Sequence, residues 1–272
     1  MASDSPAEAV ERRRSLQSLE RGIAVLQAFS HERPAMTLSD VARVTGITRA
    51  TARRILLTLE QLGFVRASGR LFSLTPHVLD LGWAYLSSLN LWDAALPLME
   101  ELSERTHEST AAAALDLPDI VTVAQVPTRR VLSAELGLGA RLPVHCTSAG
   151  HVLLADLPDD ELDAFLATAR LERLTDRTIT DLDRLRKAIE TVRANDWALV
   201  DQEMEIGLRT IAAPIRGTSG RAIASLVVST AASRVPLKDL RSSFVPQLRE
   251  TAARISAALQ AQRDRTAGAP SS

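Results

Sequence analysis

"TLSDVARVTGITRATARRILLTLEQLGFV", residues Thr37–Val65, holds a short apolar-periodic run, a turn at Gly46 and a longer run opening at Thr48. Leu38, Val41 and Ala42 recur at helical spacing after Thr37, a residue type suited to a helix N-cap. Gly46 stands where a helix end takes a left-handed residue, and Thr48 is a second N-cap. Ala52, Ile55, Leu56, Leu59 and Leu62 mark the next helix. Two helices joined by so short a turn have helix-turn-helix spacing. On a wheel of the second helix Ile55, Leu56, Leu59 and Leu62 turn inward, while Ala50, Arg53 and Arg54 turn outward with Arg49 and Thr51 on the flanks. Outward arginines in the first turns are placed as in a recognition helix that meets base edges and phosphates.

Downstream, "FVRASGRLFSL" (64–74) alternates around Ser68–Gly69, a hairpin signal. It reads as a wing, with Arg66 and Arg70 near its tip. Upstream, Leu16, Leu19, Ile23 and Leu26 mark one more helix. The charge agrees with this reading. The 272-residue chain has a formal net charge of −1, yet from Arg43 to Arg70 it carries six arginines against the single acid Glu60. A basic island in a neutral protein is the footprint of a nucleic-acid contact.

Hydrophobic residues make up 46% and charged residues 24%, the balance of an ordinary globular protein with room for two cores. Cys146 is the single cysteine, so no internal disulfide forms, which suits a reducing cytoplasm. "MASDSPAEAVERRR" lacks the apolar stretch of a secretory signal, and no run of about 18 apolar residues exists to span a bilayer. The expected organisation is a disordered tail (1–14), a winged helix-turn-helix (15–75), a linker helix (76–90), a larger mixed α/β domain (91–262) and a second polar tail (263–272). The fold class is α+β. In the linker, Val78, Leu79, Leu81, Trp83, Tyr85, Leu86 and Leu89 are apolar around most of the circumference. Such a helix is buried on several sides or lies against a partner chain, so Trp83, Tyr85 and Leu86 are expected in or beside a dimer interface. In the α/β region "AAAALD", "IVTVAQV", "VLSAEL", "WALV", "RTIAAPIR" and "AIASLVVST" read as strands, with helices near 148–155, 159–168 and 181–194 and an amphipathic helix at the end.

"VHCTSAGHVLLA", residues 144–155, gathers two histidines, the cysteine and two hydroxyls. As a nucleophile Cys146 lacks a base at a workable spacing, since His145 points to the opposite face of an extended segment. As a zinc site, His145, Cys146 and His151, completed by Asp201 or Glu203, lack any paired-ligand spacing. The third reading is a strand ending at His145 and a helix starting near Thr147–Ser148. The small residues Ser148, Ala149 and Gly150 would let an anion approach its free N–H groups. Spacing alone leaves open whether that start serves a ligand or caps itself.

"SLERGIAVLQAF", the helix-turn-helix stretch, "RLPVHCTSAGHVLLA" and "DQEMEIGLRTIAAPI", in this order, resemble the IclR-type family of bacterial transcriptional regulators from about Ser15 to Gln260. The resemblance implies an N-terminal winged helix-turn-helix, a linker helix and a C-terminal GAF-like effector-binding domain. It implies dimers, or tetramers built as dimers of dimers, on double-stranded palindromic promoter DNA, and no enzymatic activity. "VPTRRVLSAEL" and "VDQEMEIGLRTIAAP" look most like the branch that controls protocatechuate, 4-hydroxybenzoate and β-ketoadipate catabolism. The effector implied is a small organic or aromatic carboxylate, with no cofactor. By resemblance Ser148, Ala149 and Gly150 form the ligand-cradling helix start and Ala134 and Leu142 the apolar walls. Leu208 and Thr210 sit on a facing strand, Ser229 ends the next, and Asp201 is an acidic position near the pocket. Arg209 alternates away from the ligand. A metal-sensing regulator using His145, Cys146 and His151 is the alternative.

Overall fold

The structure is a computed structural model and describes residues 16–88, 91–128 and 137–267. It divides into two compact units, Met1–Tyr85 and Leu86–Ser272, a boundary that falls inside the expected linker.

In the first unit α1 (Gln17–Gln27) is followed by a short strand β1 (Ala35–Thr37), α2 (Leu38–Thr45) and α3 (Arg49–Gln61). Thr37 and Asp40 close a reciprocal capping box at the head of α2, and Gly46 ends that helix at φ 67°. Thr48 caps α3 by accepting from the Thr51 N–H at 3.2 Å. These two caps hold the turn of the helix-turn-helix. The hairpin follows as β2 (Val65–Ser68) and β3 (Leu71–Leu74), turning at Gly69 (φ 61°). β1 pairs with β3, so the wing is a three-stranded sheet in the order β1-β3-β2. The sequence pattern missed β1, whose three residues are too few to show alternation.

Packing corrects two helical stripes. The core of this unit centres on Val25, Met36, Val41, Ala52, Leu56 and Val65. On α3, Ala52, Leu56 and Leu59 are buried and Ile55 is half-buried, but Leu62 at the helix end is exposed. On α1 it is Val25 that turns inward, with Ala28 and Phe29 beyond it, whereas Leu16, Leu19 and Ile23 are 69, 60 and 47% exposed. The two α1 stripes both have helical spacing, and only packing against α2 and α3 selects between them. A turn at Pro76–Val78 leads into α4 (Leu79–Ser88). Its Leu79, Leu81, Trp83 and Tyr85 are all exposed; the side chain of Leu86 lies outside the described residues.

The second unit opens with α5 (Leu91–Thr106) and the hairpin β4 (Ser109–Asp116) and β5 (Asp119–Val126). β6 (Arg141–Pro143), a 3-10 turn at Val144–Cys146, α6 (Ser148–Ala155), α7 (Asp159–Thr168) and α8 (Leu182–Asn195) follow. β7 (Ala198–Asp201), β8 (Leu208–Arg216) and β9 (Ala222–Ala231) complete the sheet, and two short helical segments from Leu237 lead into α9 (Val245–Ala267). The strand expected to reach His145 stops at Pro143, where pairing with β5 ends. The expected strand "VLSAEL" lies outside the described residues. α9 continues through Ala267, into the stretch 263–272 expected as a polar tail.

The six strands form one antiparallel sheet in the order β6-β5-β4-β9-β8-β7. One face is covered by α5 and α9, with Met99, Leu102, Leu226, Leu248 and Ile255 in the core. The other carries α6, α7 and α8 around Leu153, Leu154, Leu162, Leu185 and Ile189. All of α6 is buried. Its far end is tethered by charge: Arg193 donates to the Ala155 and Leu157 carbonyls at 2.9 and 3.0 Å. Asp156 receives Arg216 at 2.7 Å and Arg221 at 2.9 Å from the β8–β9 hairpin. The C-terminus of α6 is thus tied down while its N-terminus opens on a cavity.

Candidate functional site

Thr147 is the N-cap of α6. Its hydroxyl accepts from the Gly150 N–H at 3.2 Å and donates to the Pro143 carbonyl at 3.1 Å. The Thr147 carbonyl takes the His151 N–H at 3.0 Å. The N–H groups of Ser148 and Ala149 are left without an acceptor among the described residues, as a helix start leaves them. The Ser148 side chain adds a third vacancy. The residue is 1% exposed and its hydroxyl has no hydrogen-bond partner. Ser148 and Ala149, which carry these three donors, line a cavity that the sheet closes on its other side. A buried polar group left unpaired costs about 1–3 kcal/mol, so such a cluster marks a place where a ligand oxygen fits.

The opposite wall is the sheet. Ser109, Ser229 and Thr210 lie in register across β4, β9 and β8 and form a row of hydroxyls. Ala111 and Ala113 on β4, with Val227 on β9, give the floor its space and its apolar character. Leu142, Val200, Met204 and Leu208 close the sides, and Thr122 and Gln125 add polar groups from β5. Of the residues expected at a ligand site, Leu142, Ser148, Ala149, Leu208, Thr210 and Ser229 line this cavity. Ala134 lies outside the described residues. The β4 and β5 liners were missed, because Ser109–Ala114 is small at every position and no alternation marks the face that lines the cavity.

Two expected residues do other work. A Cβ on Gly150 would sit 2.0 Å from the Val144 carbonyl oxygen, so this glycine lets α6 press against the turn before it and does not line the cavity. Asp201 points away from the cavity, because it follows Val200 on a strand whose alternate residues face opposite sides. Its carboxylate accepts from Arg177 Nη1 at 2.6 Å, Arg209 Nε at 2.6 Å and Gln202 Nε2 at 3.1 Å.

On the first unit Arg49, Ala50, Arg53 and Arg54 are exposed along the first turns of α3, and Arg66 and Arg70 on the hairpin. Thr48 is exposed with its hydroxyl in the cap, and Thr51 is half-buried, its hydroxyl 2.9 Å from that of Thr48. Arg43 is paired with Asp40 at 3.1 Å and Arg66 donates to Ser73 at 3.1 Å. Arg49, Arg53, Arg54 and Arg70 form no ion pair among the described residues, which leaves their charge for a partner.

The model of the IclR helix-turn-helix domain matches residues 18–69, and that of the bacterial transcriptional regulator IclR C-terminal domain matches residues 83–257. The chain belongs to the IclR family. This IclR regulator is 43% identical to the Pca regulon regulatory protein of Pseudomonas putida over 86% of its own length and 80% of that protein's. It is 34% identical to the p-hydroxybenzoate hydroxylase transcriptional activator of Acinetobacter baylyi, over 93 and 95% of the two chains. A putative transcriptional regulator from Rhodococcus sp. RHA1 has the same fold with a TM-score of 0.81 at 52% identity, covering 91% of this chain and 100% of that one. An IclR homologue from Microbacterium hydrocarbonoxydans, solved with 4-hydroxybenzoate, superposes with a TM-score of 0.81 at 27% identity over 90 and 100% of the chains. The family and these relatives are transcriptional regulators, not enzymes, and no described helix is long and apolar enough to cross a membrane.

In the IclR regulator His145, Cys146 and His151 are structural. His151 is buried, which lowers its pKa and keeps it neutral, and its Nε2 donates to the His145 carbonyl at 2.7 Å. His145 Nε2 pairs with the Glu172 carbonyl at 3.0 Å. Burial, with the Glu203 charge nearby, pushes the Cys146 thiol up to about 12, far from a reactive thiolate. Among the described residues no three His, Cys, Asp or Glu side chains converge as metal ligands, so the zinc alternative finds no support.

Proposed function

We propose that this IclR-family regulator binds a small aromatic or organic carboxylate at the α6 N-terminus and that the ligand alters its hold on promoter DNA. The carrying observation is the buried, unpartnered Ser148 hydroxyl beside two free N–H groups at a largely apolar cavity. Hydrogen bonds to an ionised acceptor are about twice as strong as neutral ones, and the helix dipole adds to them. Relatives named for the Pca regulon and for p-hydroxybenzoate hydroxylase support catabolism of acids such as protocatechuate or 4-hydroxybenzoate through the β-ketoadipate pathway as the controlled process. The regulator works in the cytoplasm on a double-stranded palindromic operator. It reads that operator with Arg49, Ala50, Arg53 and Arg54 of α3, Thr48 and Thr51 set the helix start, and Arg66 and Arg70 of the wing add contacts.

The test is a thermal-shift and gel-shift panel of aromatic and dicarboxylic acids. An effector at 100 times its Kd will stabilise the chain by about 2.7 kcal/mol if it binds the folded state alone. Ser148→Leu fills the cradle and removes the hydroxyl, so it will abolish that shift and leave operator affinity unchanged. A Ser148→Leu protein that still responds to the acid removes this reading.

A palindrome calls for two-fold symmetry, and Leu16 at the N-cap of α1, Leu19 and Ile23 on it, and Leu81 and Trp83 of α4 expose apolar surface that a second chain would cover. Sedimentation is expected to give a dimer, or a dimer of dimers, at micromolar concentration. A monomer there rules the arrangement out.

A further inference from the structure

The loop Gln202–Gly207 connects β7 to β8 and puts one residue, Met204, into the cavity wall between Val200 and Leu208. Nothing about Met204 itself fixes its position, since methionine is unbranched and adaptable. Its backbone is closed by the Gln202 N–H on the Leu208 carbonyl at 2.9 Å and the Leu208 N–H on the Glu205 carbonyl at 3.1 Å, and side-chain bonds hold it on the side away from the cavity. Gln202 sits at φ 63°, in the left-handed region that a long side chain rarely adopts. From there its side-chain Oε1 accepts the Gly207 N–H at 3.0 Å, closing the loop across its base. Its Nε2 donates to Asp201 Oδ1 at 3.1 Å, which fixes the amide the right way round. Asp201 is in turn held by Arg177 and by the half-buried Arg209, whose Nη1 also donates to the Ala232 and Val235 carbonyls at 3.0 and 2.9 Å. From outside, Thr175 donates to the Gln202 carbonyl at 2.7 Å and Thr178 to the Glu203 carbonyl at 2.6 Å.

We infer that Gln202, oriented by Asp201, is a positioning residue for the effector pocket: it clasps the 202–207 loop so that Met204 forms a fixed wall against the ligand. The inference rests on the effector reading of the cavity. It gives Asp201, at the end of β7, a part in binding without contact with the ligand. A pocket wall set in advance binds more tightly than one that must be ordered with each ligand.

The experiment is a double-mutant cycle on the full-length chain. 4-Hydroxybenzoate, protocatechuate and adipate are titrated calorimetrically, and the tightest binder to the wild type is carried forward. Gln202→Ala is expected to weaken it about tenfold and Met204→Ala by a similar factor, with the double variant no more than about twofold weaker than Met204→Ala alone, because residues acting through one contact are not additive. Operator affinity without effector stays at the wild-type value. Gln202→Met, which keeps the side-chain length without the amide, takes the place of Gln202→Ala if that variant does not fold. Unchanged effector affinity in the Gln202 variant, or full additivity with Met204→Ala, overturns the inference while leaving the effector site in place. If no acid binds the wild type, or Ser148→Leu binds as well as the wild type, the reading of the cavity itself falls and the inference with it.

Discussion

Replacing Arg53 and Arg54 together with alanine will lower operator affinity on the order of a hundredfold or more and leave the fold intact. Both side chains are exposed on the face of α3 opposite Ala52, Leu56 and Leu59, so truncation removes no core contact. Neither is engaged by a carboxylate among the described residues, so their charge is free for DNA. Each arginine that reads a base edge contributes about 1–3 kcal/mol of discrimination, and each that holds a phosphate contributes about one unit to the dependence of log K on log salt. The salt titration therefore separates the two roles: a slope lowered by about two means two phosphate contacts, and an unchanged slope with relaxed sequence preference means base reading. Arg43→Ala is the internal control, because Asp40 already neutralises that charge and a much smaller loss follows. A double variant with wild-type affinity and salt dependence would falsify the assignment of this face.

Gly150→Ala will be the most damaging single-methyl change in the second unit. In an exposed helix interior the swap is favourable by about 1 kcal/mol. Here the added Cβ would lie 2.0 Å from the Val144 oxygen and 2.6 Å from its carbonyl carbon and Cα, all of them backbone atoms that no rotamer change can move aside. Relief requires lifting α6 off the Val144–Cys146 turn, and α6 is buried along its whole length with its far end tethered through Asp156 and Arg193. Overpacking of this kind costs about 1–3 kcal/mol and occasionally more, and the upper end is expected. The displacement also carries the Ser148 and Ala149 N–H groups off station, so effector-induced stabilisation disappears even where the unit still folds. Gly22→Ala in α1, where nothing lies within 4 Å, is expected to be neutral or stabilising by a few tenths to about 1 kcal/mol, measured by chemical denaturation. Equal effects at the two sites would mean that Val144 and α6 are not packed as described.

The helix-turn-helix was legible residue by residue because its signals are local. Thr37 and Thr48 bond within three residues of themselves, and Gly46 supplies a conformation that depends on no partner. The outward arginines follow from the same short-range geometry, since helical spacing alone sets Arg53 and Arg54 apart from Ala52 and Leu56. Thr147 at the head of α6 was legible for the same reason. Periodicity shows that a helix has an apolar stripe and not what that stripe meets, so packing against α2 and α3 had to select Val25 over Leu19 and Ile23 on α1. The role of Gly150 depends on the backbone of Val144, six residues back across a turn, and a glycine has no side chain to betray the approach. Asp201 looked like a ligand site residue through the family resemblance alone, and a resemblance in residue type does not give the side of the sheet. Its partners Arg177 and Arg209 lie 24 and 8 residues away and meet it only once the sheet has formed. Sequence by itself therefore determined the two helices of the helix-turn-helix, the hairpin after them and the caps of α2, α3 and α6. The cavity was decided by the tertiary structure, because it exists only where the unpaired N-terminus of α6 faces the hydroxyl row that β4, β9 and β8 bring into register.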